Sequence, residues 1–105
     1  MSNKVWCHFS IWNGRDQRFY KGTIAEDTFN DLINGFSVEN ENKFIKLDDL
    51  CWIGSDGTIE WLSNCKSNGT SEGYTNTMFI KVKQLMEIRP LDTSFQTVLL
   101  EKGSI

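Results

Sequence analysis

Residues 4–12 alternate, with Val5, Cys7, Phe9 and Ile11 on one side and Trp6, His8, Ser10 and Trp12 on the other. A period of two predicts a strand, and apolar groups on both sides predict that it is covered twice or lines a groove. Asn13-Gly14 follows. Both residues tolerate the positive φ of a two-residue hairpin turn, which places a return strand from Gln17 to Gly22. Thr23-Ile-Ala-Glu26 then matches a capping box, with the Thr23 side chain accepting from a free amide at a helix start and Glu26 reaching back. A helix is expected over 24–34, with Ile24, Phe29, Leu32 and Ile33 on one face, the last three packing on the sheet, and Gly35 supplying the left-handed stop.

A ten-residue pattern occurs twice. Phe44-Ile-Lys-Leu-Asp-Asp-Leu-Cys-Trp-Ile53 and Phe79-Ile-Lys-Val-Lys-Gln-Leu-Met-Glu-Ile88 share five identities and a Leu47/Val82 exchange. Each copy reads as an apolar strand start, a polar two-residue step and a second apolar stretch, the pattern of a sharply bent strand. Asp56-Gly57 predicts a two-residue turn pairing Ser55 with Thr58, which sets Trp52 opposite Trp61, with Leu50 and Ile59 on the same face. Residues 64–76 carry almost no apolar side chain besides Tyr74 and are expected to form a long mobile binding loop. A last strand is expected over 96–101, and 102–105 should fray.

These elements describe one domain over 1–105, made of an N-terminal hairpin (4–22), a helix (24–34) and two bent β units (43–63 and 77–101). The fold class is α+β, a strongly curved antiparallel sheet or partly open small β-barrel with one packed helix. Four Trp, seven Phe and two Tyr in 105 residues favour an aromatic core on such a sheet. No apolar run reaches the roughly 18 residues of a membrane span, and the start Met-Ser-Asn-Lys-Val lacks a signal-peptide stretch, so a cytoplasmic location is expected. Cys7, Cys51 and Cys65 lack the spacing of a disulfide framework or zinc knuckle and read as reduced thiols.

The net charge of −3 is unevenly spread: residues 1–22 sum to +3, residues 23–60 to −7 and the remainder to +1. An acidic middle third is an ordinary solvated face or a surface for a basic partner. Catalytic signatures are missing: no phosphate-binding, zinc-hydrolase, serine-nucleophile or EF-hand pattern is written. The single histidine, His8, points away from its neighbour Cys7. An enzyme built on His8 with a thiol or carboxylate is therefore the least favoured reading. Asp48-Asp49 lie on opposite faces of a strand and read as turn formers rather than a metal or acid–base pair. No cofactor and no metal site is expected.

Two binding classes remain. The first is a small acidic protein that inhibits or neutralises a protein partner, of the immunity, antitoxin-like or phage anti-defence type. It would occupy a basic surface through Glu39, Glu41, Asp48, Asp49 and Asp56 together with the 64–76 loop. The second is a single-stranded nucleic acid or nucleotide binder using Trp6, Trp12, Arg15, Arg18, Tyr20 and Lys21, where rings stack bases and cations neutralise phosphates. High Asn and Ser content suits a bacterial or phage source, and edge strands of an unclosed sheet offer a route to a homodimer.

Overall fold

A computed structural model describes residues 3–35, 42–54, 56–67 and 69–92. Strand β1 (Lys4–Trp12) pairs antiparallel with β2 (Gln17–Ala25) from Lys4↔Ala25 to Trp12↔Gln17. The connection has four residues rather than two. The Asn13 carboxamide oxygen accepts from the Arg15 and Asp16 amides at 2.9 and 2.8 Å, and Gly14 takes the positive φ of +92°. Asn13 thus closes the turn with its side chain and has no need of the left-handed conformation itself.

β2 continues past the expected stop at Gly22. Thr23 stays in the ladder opposite Trp6, and its hydroxyl donates to Asp49 Oδ2 at 2.8 Å, so it caps nothing. Helix α1 (Glu26–Ile33) starts after Ala25, two residues later than the capping box implies. Its first amide donates to the Asn3 carbonyl at 2.9 Å, and Glu26 and Asp27 meet the positive end of its dipole. Phe29 and Leu32 pack on the core as expected, Ile24 reaches it from β2, and Ile33 does not, being 57% exposed.

The other strands are β3 (Phe44–Ile53), β4 (Ile59–Trp61), β5 (Lys66–Ser67), β6 (Thr70–Ser71), β7 (Met78–Lys81) and β8 (Leu85–Pro90). The main sheet runs β4-β3-β2-β1-β8, with β7 also pairing β3, and a small β5-β6 hairpin stands apart. The sheet is antiparallel and curls without closing, and with α1 beside it the class is α+β. Cys7, Phe9, Ile11, Ile24, Ile45, Leu47, Leu50, Leu62 and Ile80 form the core inside the curl. Trp6 and Cys51 form a second cluster with Ile53, Ile59, Trp61 and Leu91 packed on it. Both sides of β1 are therefore covered near its start, as its doubly apolar pattern requires.

Both copies of the repeat bend at the same step. In the first, Asp49 takes φ +51° and the ladder to β2 shifts register between Lys21 and Thr23. In the second, a 3-10 turn Val82–Gln84 separates β7 from β8. Gly22 lies where the bent β3 crosses β2: a Cβ there would sit 2.6 Å from the Asp48 carbonyl oxygen and 2.8 Å from Leu50 Cδ2.

Two further expectations are corrected. The β3–β4 hairpin closes with the Gly57 amide donating to Gly54 O at 3.0 Å and the Gly54 amide donating to Thr58 O at 2.8 Å, with Gly57 at φ +84°. This longer turn slips the register by one residue, so Cys51 faces Trp61 and Trp52 faces Glu60. The two Trp rings are thereby sent to opposite faces. Trp52 packs against Tyr20 with centroids 5.3 Å apart, and Leu50 and Ile59 separate in the same way, into the two clusters. Residues 64–76 form no uniform loop. They contain the β5-β6 hairpin and are anchored by the Glu72 amide on Cys65 O (3.1 Å), the Leu50 amide on Asn76 O (2.9 Å) and the Ser63 amide on Asn76 Oδ1 (2.8 Å). The strand expected over 96–101 lies outside the described residues.

Candidate nucleic-acid interface

The first halves of the two repeats pair with each other. Phe44 lies opposite Lys81, Ile45 opposite Ile80, Lys46 opposite Phe79 and Leu47 opposite Met78. Alternation then sorts this ribbon into two faces. Ile45, Leu47 and Ile80 go into the core, which leaves Phe44 and Phe79 outside at 63% and 62% exposure, beside Lys46 and Lys81. Lys46 is 59% exposed, and the Lys81 ammonium stands 5.9 Å from the Phe44 ring centroid, within cation–π range. The rings occupy diagonal positions, about 7–8 Å apart at the backbone. Lys43 and Lys83 are exposed at the ends of the same segments. Asp48 is the acidic group at this face, 3.9 Å from Lys46 Nζ and 3.6 Å from Lys4 Nζ.

Beside Phe79 lies a groove of about 280 Å³, lined by Ile11, Asn13, Arg18, Tyr20, Met78, Phe79, Ile80 and Gln84. It runs between the tip of the β1–β2 hairpin and β7. Burial pushes the Tyr20 hydroxyl above its ordinary pKa, with the nearby Arg18 opposing.

A second cluster sits on the outer side of β1, β2 and β8. The His8 ring stacks on Phe19 with centroids 5.8 Å apart, its Nδ1 lies 3.3 Å from Lys21 Nζ, and its Nε2 lies 3.8 Å from a Glu87 oxygen. Burial lowers the His8 pKa below 6.5, Lys21 and Arg89 add to the lowering, and Glu87 opposes it. Neutral His8 can thus accept from the Lys21 ammonium through Nδ1. The nearby thiols are poor nucleophiles, since burial raises Cys7 to about 12 and Cys51 to about 11. Cys65 is also shifted upward, by burial and then by Glu72 and Glu60. Among the described residues no group of three or more His, Cys, Asp and Glu could hold a metal ion. No helix among them is long and apolar enough to cross a membrane.

The fold divides the aromatic and basic residues of the N-terminal hairpin. Trp6, opposite Thr23, is buried at 9% exposure; Trp12 on the same face is exposed; Lys21 joins His8. Arg18 and Tyr20, opposite Ile11 and Phe9, belong to the other face and line the groove beside Phe79. Arg15 stands in the turn. The hairpin is therefore no single platform.

The acidic set fares similarly. Asp48 Oδ1 accepts from the Thr77 hydroxyl at 2.8 Å, and Asp49 Oδ2 from the Thr23 hydroxyl at 2.8 Å. Asp56 accepts from the Thr58 amide at 3.0 Å and from the Thr58 hydroxyl, tightening its own turn. Glu39 and Glu41 lie outside the described residues. Phe44, Lys46, Phe79 and Lys81 are not among the expected binding residues, because the repeat reads as an apolar strand start. The signal was present nonetheless: period two puts each Phe on the same face as the Lys two residues later. Comparison with protein-family models, with curated proteins and with solved structures returns no match for this chain.

Proposed function

We propose that this chain binds single-stranded nucleic acid on the outer face of the β3–β7 ribbon. The observation that carries this reading is the exposure of Phe44 and Phe79, at 63% and 62%, on one surface with Lys46 and Lys81. Every base offers a π-face to an exposed ring, and such stacking contributes about 1–3 kcal/mol per base whatever the sequence. Lysines interleaved with the rings neutralise the phosphates between stacked bases. The net charge of −3 argues against binding over the whole surface and favours a local patch such as this one. Partner inhibition through the acidic block has weaker support, because Asp48 and Asp49 are engaged in bonds within the chain.

Fluorescence anisotropy with a labelled twelve-residue thymidine oligonucleotide tests the proposal. Wild-type protein should bind at low salt and release as salt rises, and Phe44→Ala with Phe79→Ala should weaken binding by at least about tenfold. Unchanged affinity in that double variant contradicts this site, and no binding at low salt contradicts the function.

A further inference from the structure

We propose that the groove between the hairpin tip and β7 receives one unpaired guanine base. The inference rests on the single-strand reading for its biological setting, but the groove's chemistry is argued and tested separately. At about 280 Å³ it lies just below the usual range for ligand clefts, which suits one planar ring system. Ile11, Met78 and Ile80 supply apolar surface, and Tyr20 and Phe79 supply aromatic faces. Phe79 belongs to both the ribbon and the groove, so the two surfaces adjoin.

The polar rim decides which base. Arg18 has only donors to offer. The Asn13 carboxamide oxygen is taken by the Arg15 and Asp16 amides, so this side chain has its NH₂ left for a ligand. The Gln84 oxygen accepts from the Lys81 amide at 2.9 Å, while its NH₂ makes one long contact of 3.4 Å to Trp12 O and keeps a second hydrogen. Three residues of the lining thus have N–H groups to donate, and the Tyr20 hydroxyl can donate or accept. Guanine presents two adjacent acceptors, N7 and O6, on its Hoogsteen edge with no donor on that edge, and arginine binds it in bidentate fashion. Adenine sets its amino donor beside N7, and cytosine's adjacent acceptors N3 and O2 share their edge with an amino donor, so either base leaves a donor facing the donors of the rim. Asp16 does not compete strongly for Arg18, since their 3.8 Å pair is more than half exposed on both sides.

The test is a set of ¹⁵N–¹H NMR titrations of the whole chain with GMP, 7-deaza-GMP, AMP and CMP. GMP should shift the amides around Ile11, Tyr20, Phe79 and Gln84 and bind about tenfold or more tighter than AMP, CMP or 7-deaza-GMP, which lacks the N7 acceptor. Arg18→Gln should remove that preference. GMP binding equal to AMP and CMP, or a preference that survives in Arg18→Gln, overturns the proposal. The two claims fail separately: a chain that prefers GMP but ignores the oligonucleotide keeps the groove and loses the ribbon. One that binds the oligonucleotide without preferring GMP keeps the ribbon and loses the groove.

Discussion

Ile45 lies directly opposite Ile80, the residue that occupies the same place in the second repeat. An antiparallel pair of like segments centred in this way has a local two-fold relation, which makes Phe44 equivalent to Phe79 and Lys46 to Lys81. One Phe-x-Lys pattern therefore builds both halves of the surface ribbon, while the central Ile pair anchors it in the core at 6% and 4% exposure. Ile45→Ala and Ile80→Ala should each lower stability by about 2–5 kcal/mol, and by similar amounts, in urea unfolding. A marked loss at one position and none at the other would contradict the equivalence.

Gly22 supplies a second stability test. A methyl group there meets the Asp48 carbonyl oxygen at 2.6 Å, and backbone cannot rotate aside as a flexible side chain can. Gly22→Ala should cost about 1–3 kcal/mol by urea unfolding and shift the amides of Asp48 to Cys51. Wild-type stability in this variant would mean that β3 does not cross β2 this closely.

The strands were far more legible than their ends. Alternation from Val5 to Trp12 defines β1 because each parity has a consistent neighbour set. The expected helix start falls two residues early because the Thr23 hydroxyl has two possible uses. It can cap a helix, or it can remain in the β ladder and donate to Asp49, 26 residues away in sequence, and only the fold brings that carboxylate near. The Trp52–Trp61 pairing failed through one residue of turn geometry, since Gly57 in the left-handed region lengthens the loop and exchanges the faces. The ribbon was half legible: the repeat was visible, but the pairing of its copies with each other depends on tertiary structure.

His8 should titrate below the ordinary histidine range. Burial and the Lys21 ammonium disfavour its charged form, and Glu87 recovers only part of this. A histidine whose folded pKa is depressed leaves the unfolded chain binding more protons in acid. Stability should therefore fall as pH drops through 6.5 toward the folded pKa and hold steady above 6.5. Lys21→Met should move the His8 ring resonances to a higher midpoint in an NMR titration, and Glu87→Gln to a lower one. A midpoint at or above 6.5 in the wild type would contradict the packing described.

The three thiols should separate by exposure. Cys7 and Cys51 are fully buried and raised to about 12 and 11, while Cys65 is half-buried. Alkylation at pH 8 followed by mass mapping should label Cys65 first and reach the other two only on unfolding. Early labelling of Cys7 would place β1 outside the core.

The most direct test of nucleic-acid binding at the ribbon is chemical-shift mapping of the ¹⁵N-labelled chain with an eight-residue thymidine oligonucleotide at low salt. Shifts concentrated at Lys43 to Lys46 and Phe79 to Lys83, reversed by added salt, are expected. Absence of shifts there, or shifts centred on Asp48, Asp49 and Asp56 when a basic protein is added instead, would contradict the ribbon as the binding surface.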